Sequence, residues 1–527
     1  MMIKYTRDNL LQSVSLKEFN PAWAQRDFVY EIKDFLNSKF NAVLIIGGLR
    51  GMGKTVGMYQ TVINEDALYL CSQNGEKETA EDYLKELVNT DKRTIIIDEY
   101  TWIKGRKDIF LERSLDALVH QGKRIILTGT ESALLESLQA TDLIHRSDCK
   151  HVTRFSYDEF LRINADRLPK SSQERYDMYL QEGGIFQEYV KRNAKTMDDY
   201  IRNSIVENIY RYVQSSTWTK EKIASAVYSV LFDAVHDIFD VKLQVDTFTD
   251  YAKGQLMTLG VNDIKEEVNP YTVKSIGEIM ESIGVLIRVP NIDQDARKKR
   301  KKRFAELYDY RLYITNPAIT WNLAKYVFNP INDVKGLLGR LFEAAVMVDL
   351  HYRKSGADDL YFYEGGGAEK HEIDAVLVPR HSENSITLIE VKHANELLPN
   401  NVEKQYWSIV TGQAEEEIGK KFYDHDGFNR YFVYTGPQDC IVTNKGTDIE
   451  KEFLLVGIDE KLHRYWDYEK NKEEIEKSPH YIQRMVTEKK REEAKLLQKK
   501  QCTQSVRLPL SRKLSNRQQR RKDSNSY

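Results

Sequence analysis

The sequence predicts an α/β protein built from an N-terminal parallel sheet with crossover helices, a mostly helical middle stretch and a C-terminal α/β unit. Between residues 42 and 127, short apolar runs alternate with helix-length segments; strand-like segments then resume beyond Gly336. Length agrees: 527 residues suggest three or four domains at roughly 150 residues each. With 41% apolar and 11% aromatic residues, the chain can fill several cores.

Ala42–Ile46 (AVLII) is a continuous apolar run of the kind buried on both faces of a sheet. Ala67–Cys71, Thr94–Ile97 and Arg124–Leu127 repeat it, with helices predicted at Glu81–Thr90 and Ile109–His120. Such alternation calls for a parallel sheet, and His151–Phe155 is expected as its fifth strand. A helical stretch, broken at Gly183–Gly184, runs from Tyr157 to Ser216. Helices at Lys220–Phe239, Val245–Leu256 and Val273–Ser282 then precede β-type segments at Val285–Val289 and Leu307–Thr315. Between those two lies Arg297–Arg303 (RKKRKKR), so the segment reads as a winged-helix-like module with a basic tip. A helix at Leu337–Tyr352 opens the third unit, with strands at Leu360–Tyr363, Ile373–Val378, Thr387–Val391, Tyr431–Thr435 and Phe453–Val456. The expected organisation is an N-terminal extension (1–19), a parallel-sheet core (20–160), a helical lid or linker (161–216), the winged-helix-like module (217–335), the C-terminal α/β domain (336–465) and a basic tail (466–527) whose last residues have a disordered composition.

The net charge of −2 conceals an asymmetry. Residues 489–527 carry 13 Lys/Arg against three acids, a net +10 that leaves −12 on residues 1–488. Concentrated positive charge on an acidic body points to a polyanion such as DNA. No apolar run approaches the roughly twenty residues of a membrane helix. The N-terminus lacks the apolar core of a secretory signal, and four cysteines without CxxC spacing argue against a disulfide or zinc framework. A cytoplasmic chain without membrane contact is expected.

Gly48-Leu49-Arg50-Gly51-Met52-Gly53-Lys54-Thr55 matches G-x-x-x-x-G-K-[ST] between a strand and a helix. Gly48, Gly51 and Gly53 let the loop fold so that backbone N–H groups, with those of Arg50 and Met52, face phosphate oxygens. Lys54 brings a point charge to the β- and γ-phosphates, and the Thr55 hydroxyl is a Mg²⁺ ligand. Thr94–Glu99 is a buried strand ending in two acids: Asp98 for Mg²⁺, Glu99 to polarise the attacking water. Thr128, on the Leu127-Thr128-Gly129-Thr130 strand end, is expected to sense the γ-phosphate or align the attacking water. The cofactors predicted are ATP and Mg²⁺.

From about Phe19 to Phe160 the chain resembles bacterial AAA+-type ATPases whose phosphate loop reads G-P-R-x-x-G-K-T. Arg50 falls on that arginine, while Leu49 replaces the proline. Asp98–Glu99, Thr128–Thr130 and Gly183–Phe186 echo the family's acidic strand, sensor strand and G-G-F element. The resemblance implies ATP hydrolysis and a homo-oligomer in which an arginine after the sensor acts in trans; Arg146 is the candidate.

In the third unit, Asp374 is followed by Glu390-Val391-Lys392, all on strand-like segments. On adjacent strands the two acids can converge on one divalent metal; Lys392, two residues on, shares the face of Glu390 and can stabilise developing negative charge. Glu343, on the preceding helix, offers a further carboxylate, and Gln405 a further contact. His393 is expected at an exposed strand end. This D…E-x-K pattern resembles the restriction-endonuclease-like nuclease core that commonly follows the ATPase in this bacterial family; Gly339–Glu343, Glu372–Asp374 and Ile389–Lys392 fit its motifs in order. The resemblance implies metal-dependent phosphodiester cleavage. An alternative is an NTP-dependent switch or scaffold for a protein partner, with a degenerate core.

Overall fold

A computed structural model describes residues 2–457, apart from 39–41, 73–78, 104–108, 131–146, 184–193, 214–217, 240–269, 293–309, 328–333, 354–357, 365–371, 381–384, 395–413, 423–424, 426 and 437–452. The expected helix Val245–Leu256, the basic block Arg297–Arg303, Arg146, Gln405 and the basic tail lie outside the described residues.

Two sheets organise the described chain. The first has six strands in the order β1-β3-β4-β5-β2-β6: β1 (Met2–Tyr5), β2 (Val43–Gly47), β3 (Ala67–Ser72), β4 (Thr94–Asp98), β5 (Arg124–Gly129) and β6 (Ser147–His151). All neighbours run parallel except β1, which pairs antiparallel with β3. Every residue of β2 and β4 is buried, as the apolar runs Val43–Ile46 and Ile95–Ile97 at their centres require. Two expectations shift here. The sheet gains β1 from the segment expected to be an extension, and the strand beside β2 is Ser147–His151 rather than His151–Phe155. Register fixes the latter, because Val43 to Gly47 pair with Ser147 to His151.

Helices α1 (Arg7–Ser13), α2 (Asp27–Asn37), α3 (Lys54–Asn64), α4 (Ala80–Val88) and α5 (Ile109–His120) accompany this sheet. Phe28, Val29, Ile32 and Phe35 form the buried stripe of α2. Gly57 is needed where α3 meets it, since a Cβ there would lie 2.4 Å from the Phe28 ring. Helices α6 (Tyr157–Ile163), α7 (Ser172–Glu182), α8 (Ala194–Tyr200) and α9 (Glu207–Val213) follow, a π-helical turn at Ile201–Val206 joining the last two. Ser156 and Glu159 close a capping box at the start of α6.

Helix α10 (Lys220–Phe239) is buried on most of its surface, for it packs against α11 (Pro270–Ser282) and the hairpin β7 (Leu286–Pro290) and β8 (Tyr310–Ile314). Helix α12 (Pro317–Val327), which is not among the elements expected from the sequence, and α13 (Val334–Arg353) lead to the second sheet. Its strands are β9 (Asp358–Glu364), β10 (Glu372–Pro379), β11 (Ile386–Lys392), β12 (Phe428–Tyr434) and β13 (Phe453–Gly457), in the order β13-β12-β11-β10-β9. β9, β10 and β11 form antiparallel neighbours, whereas β11, β12 and β13 run parallel; α14 (Ala414–Lys421) packs on one face. The described residues belong to one compact unit, Met1–Asp459. None of their helices is long and apolar enough to cross a membrane.

Candidate functional site

The phosphate loop leaves the C-terminal end of β2 and is locked there. Gly48 N–H donates to the Gly129 carbonyl at 3.2 Å, and Val152 N–H donates to that of Gly47 at 2.8 Å. Any Cβ on Gly48 would sit 2.1 Å from the Val152 carbonyl oxygen. Gly51 and Gly53 both adopt φ +76°, a region that glycine enters without steric cost. Gly53 is also the N-cap of α3, so the helix dipole opens into the loop. Lys54, 6% exposed, donates from Nζ to the Gly48 and Leu49 carbonyls at 2.8 Å each. Burial pushes its ammonium below the usual lysine range, against the pull of Glu99 and Asp98.

Strand order places the other groups. β5 lies between β2 and β4, with Ile46 level with Thr128 and Ile97 level with Leu127. Thr128 therefore stands between the loop and the acidic end of β4. Asp98, 1% exposed, accepts at Oδ2 from Thr55 Oγ1 at 2.9 Å and Tyr69 Oη at 2.8 Å, while Thr128 donates to Oδ1. Glu99 is the only non-glycine residue at positive φ (54°) among the described residues; that conformation costs roughly 1–2 kcal/mol, and its N–H donates to Asp98 Oδ1 at 3.0 Å. A hydroxyl and a carboxylate side by side form an all-oxygen donor set suited to Mg²⁺, so Thr55 and Asp98 fit the expected ion.

Arg50 stacks on Trp102, its guanidinium carbon 4.6 Å from the ring centroid, and Arg211 of α9 stacks on the same ring at 4.4 Å. Asn208, also on α9, donates to the Thr130 carbonyl at 2.6 Å. No local pattern in the sequence marks Trp102, Asn208 or Arg211.

A glycine loop on a helix N-terminus, facing a hydroxyl–carboxylate pair across a parallel sheet, defines a P-loop nucleotide-binding domain. Residues 40–161 match the family described as AAA domain, in keeping with that site. No curated protein matches the chain. Among solved structures, it is similar to the Walker-type ATPase paby2304 of Pyrococcus abyssi at 10% identity, covering 57% of this chain and 96% of the other with a TM-score of 0.32. It is also similar to the Aeropyrum pernix ORC1 protein in complex with DNA (12%, 62% and 99%, TM-score 0.25) and to Drosophila ORC bound to DNA (13%, 60% and 90%, 0.24). At these scores the likenesses carry no weight; the assignment stands on the family match and the site.

The second constellation lies in a cavity of about 560 Å³ whose lining includes Arg340, Glu343, Glu372, Asp374, Glu390 and Lys392. Glu343, Glu372 and Asp374 bring carboxylate oxygens within 4.8 Å of one another. Glu372 is not among the site residues expected from the sequence, although its E-x-D spacing puts it on the same strand face as Asp374. Asp374 accepts from the Val391 N–H at 2.7 Å, and Lys392 Nζ donates to Glu390 Oε2 at 3.2 Å. Burial and neighbouring Asp374 push Glu343 well above the carboxylate range. Arg311, reaching over from β8, donates to Glu372 at 2.5 Å and Glu364 at 3.3 Å and lies 3.7 Å from Glu343. His393 departs from expectation: its side chain is only 8% exposed, because Nε2 meets Asp177 of α7 at 2.6 Å.

Proposed function

We propose that the chain hydrolyses ATP with Mg²⁺ at the phosphate loop and acts on nucleic acid, DNA in the first place, through a restriction-endonuclease-like C-terminal unit. In this reading Gly48, Arg50, Gly51, Met52 and Gly53 line the triphosphate, Lys54 binds its β- and γ-oxygens, and Thr55 with Asp98 holds the ion. When bound, Mg²⁺ neutralises charge on the phosphate oxygens. Glu99 polarises the attacking water and Thr128 aligns it. The observation that carries the ATPase reading is the convergence of Thr55, Tyr69 and Thr128 on one buried carboxylate, Asp98.

For the C-terminal unit, support comes from one cavity lined by Glu372, Asp374, Glu390 and Lys392 of an antiparallel strand pair and by Glu343 of α13. Oxygen donors from Glu343, Glu372, Asp374 and Glu390 suit a hard divalent ion, and Lys392 is placed to offset charge on a phosphodiester. The winged-helix-like module, with its basic block, is the phosphate-backbone contact of this reading, and the setting is cytoplasmic. A second reading, a nucleotide switch with a non-cutting core, is favoured by Arg311, which already supplies a cation to the carboxylates. Phosphate release with and without DNA, run beside strand scission with Mg²⁺ or Mn²⁺, tests both. DNA-stimulated ATPase with scission lost in Lys392→Ala supports the first; ATPase without metal binding or scission leaves the second.

A further inference from the structure

A path of buried and part-buried hydrogen bonds leads through two arginines from the phosphate loop to α13, the helix that carries Glu343 of the C-terminal cavity. Arg26, with a side chain 8% exposed, precedes α2. Its Nη1 donates to the Met52 carbonyl in the phosphate loop. Its Nη2 donates to the Arg154 carbonyl at 2.5 Å, and its Nε to Glu159 Oε1 at 2.7 Å. The Arg154 side chain donates in turn to Asp349 on α13, the two side chains being 8% and 2% exposed. Asp349 and Glu343 share that helix, six residues apart and so about 9 Å along its axis.

The first link acts on the loop's chemistry. In a planar trans peptide the carbonyl and the following N–H point in opposite directions. Holding the Met52 carbonyl therefore aims the Gly53 N–H away from Arg26, and that N–H belongs to the cradle expected to meet phosphate. Of the remaining links, Arg26–Glu159 and Arg154–Asp349 join charged groups, and the bond from Arg26 to the Arg154 carbonyl is charge-assisted on the donor side; in a water-poor setting such hydrogen bonds are strong and polarise one another. The Arg154 guanidinium also lies 5.3 Å from the Tyr352 ring centroid, and Thr153 bonds the Tyr352 hydroxyl at 3.3 Å, so two residues of α13 are gripped by the segment after β6.

We propose that Arg26 is a positioning residue of the phosphate loop, and that with Arg154 and Asp349 it couples nucleotide bound there to the placement of α13 and hence of Glu343 in the carboxylate cavity. This rests on the reading that the loop binds nucleotide. Coupling of this kind is reciprocal, so a ligand in the cavity shifts nucleotide affinity by the factor by which nucleotide shifts its own.

The test is hydrogen–deuterium exchange over residues 334–353 of the full chain, with and without ATP, beside nucleotide affinity from a fluorescent ATP analogue. In the wild type, nucleotide is expected to slow exchange in this helix about threefold or more. Breaking one partner of a buried pair destabilises, whereas replacing both with apolar residues is often neutral; the variant is therefore Arg154→Met with Asp349→Leu. It should bind nucleotide and melt as the wild type does while α13 no longer responds. Arg26→Lys keeps a charge for Glu159 but loses the planar fork, and should weaken nucleotide binding roughly tenfold. A wild type that binds nucleotide with α13 unresponsive overturns the coupling alone, as does a double variant that still responds. A wild type that binds no nucleotide overturns this proposal and the ATPase reading together.

Discussion

Replacing Thr128 by Val removes one hydroxyl from the proposed ATPase site at nearly constant shape. In the native arrangement Thr128 is fully buried and donates to Asp98 Oδ1, while Thr55 and Tyr69 hold Oδ2. The variant leaves Oδ2 held and frees Oδ1 to the Glu99 N–H alone among these partners. A hydrogen bond to a charged acceptor is worth about 1.5–3 kcal/mol. Expressed wholly in the transition state, that is roughly a 10- to 150-fold fall in kcat. The Lys54 hydrogen bonds and the glycine turns are untouched, so KM for ATP should stay within about threefold. Phosphate release at saturating Mg²⁺ and ATP measures the first quantity, and its ATP dependence the second. A kcat within about twofold of wild type would refute the reasoning, for Thr128 would then be a strand-end residue with no part in the reaction.

Lys54→Ala should abolish nucleotide binding, whereas Glu99→Gln should bind ATP and turn it over on the order of a hundredfold more slowly; equilibrium binding and single-turnover hydrolysis separate the two. His236, 8% exposed on α10, is pushed by burial down to about 4. The unfolded chain, titrating near 6.5, therefore binds one proton more between those values, and stability should fall as pH drops from 6.5 to 4, by up to about 3 kcal/mol. Denaturant titrations at pH 7 and pH 5 check this, with a flatter dependence expected in His236→Phe. Neutralising Arg297–Arg303 should flatten the salt dependence of DNA binding by about one unit of log–log slope for each phosphate that the block no longer neutralises; an unchanged slope would remove the block from the interface.

What the sequence disclosed was what local chemistry writes down. The phosphate loop and the β4 acids are contiguous strings whose meaning depends on a strand before and a helix after, and apolar runs marked the strands that are buried on both faces. β1 escaped because MIKY is short and owes its place to a partner some sixty-seven residues later. β6 escaped because SDCKH is polar, with partly exposed side chains at a sheet edge, while HVTRF has the more β-like composition. Glu372 was hidden by a choice between two acids on one strand face. Long-range polar partners were the largest loss: Arg26, Arg154, Arg311 and His393 gain their roles from Met52, Asp349, Glu372 and Asp177, and nothing in the neighbouring residues announces them.

The indole of Trp102 offers a built-in optical probe. Its ring is contacted by one guanidinium that belongs to the phosphate loop and another that belongs to α9. A stacked cation perturbs the excited state of an indole, so the emission of this residue will report on whether both arginines remain in place. Five other tryptophans contribute background, which Trp102→Phe subtracts. With that correction, a stopped-flow trace can follow the loop and the helix in real time without any attached dye.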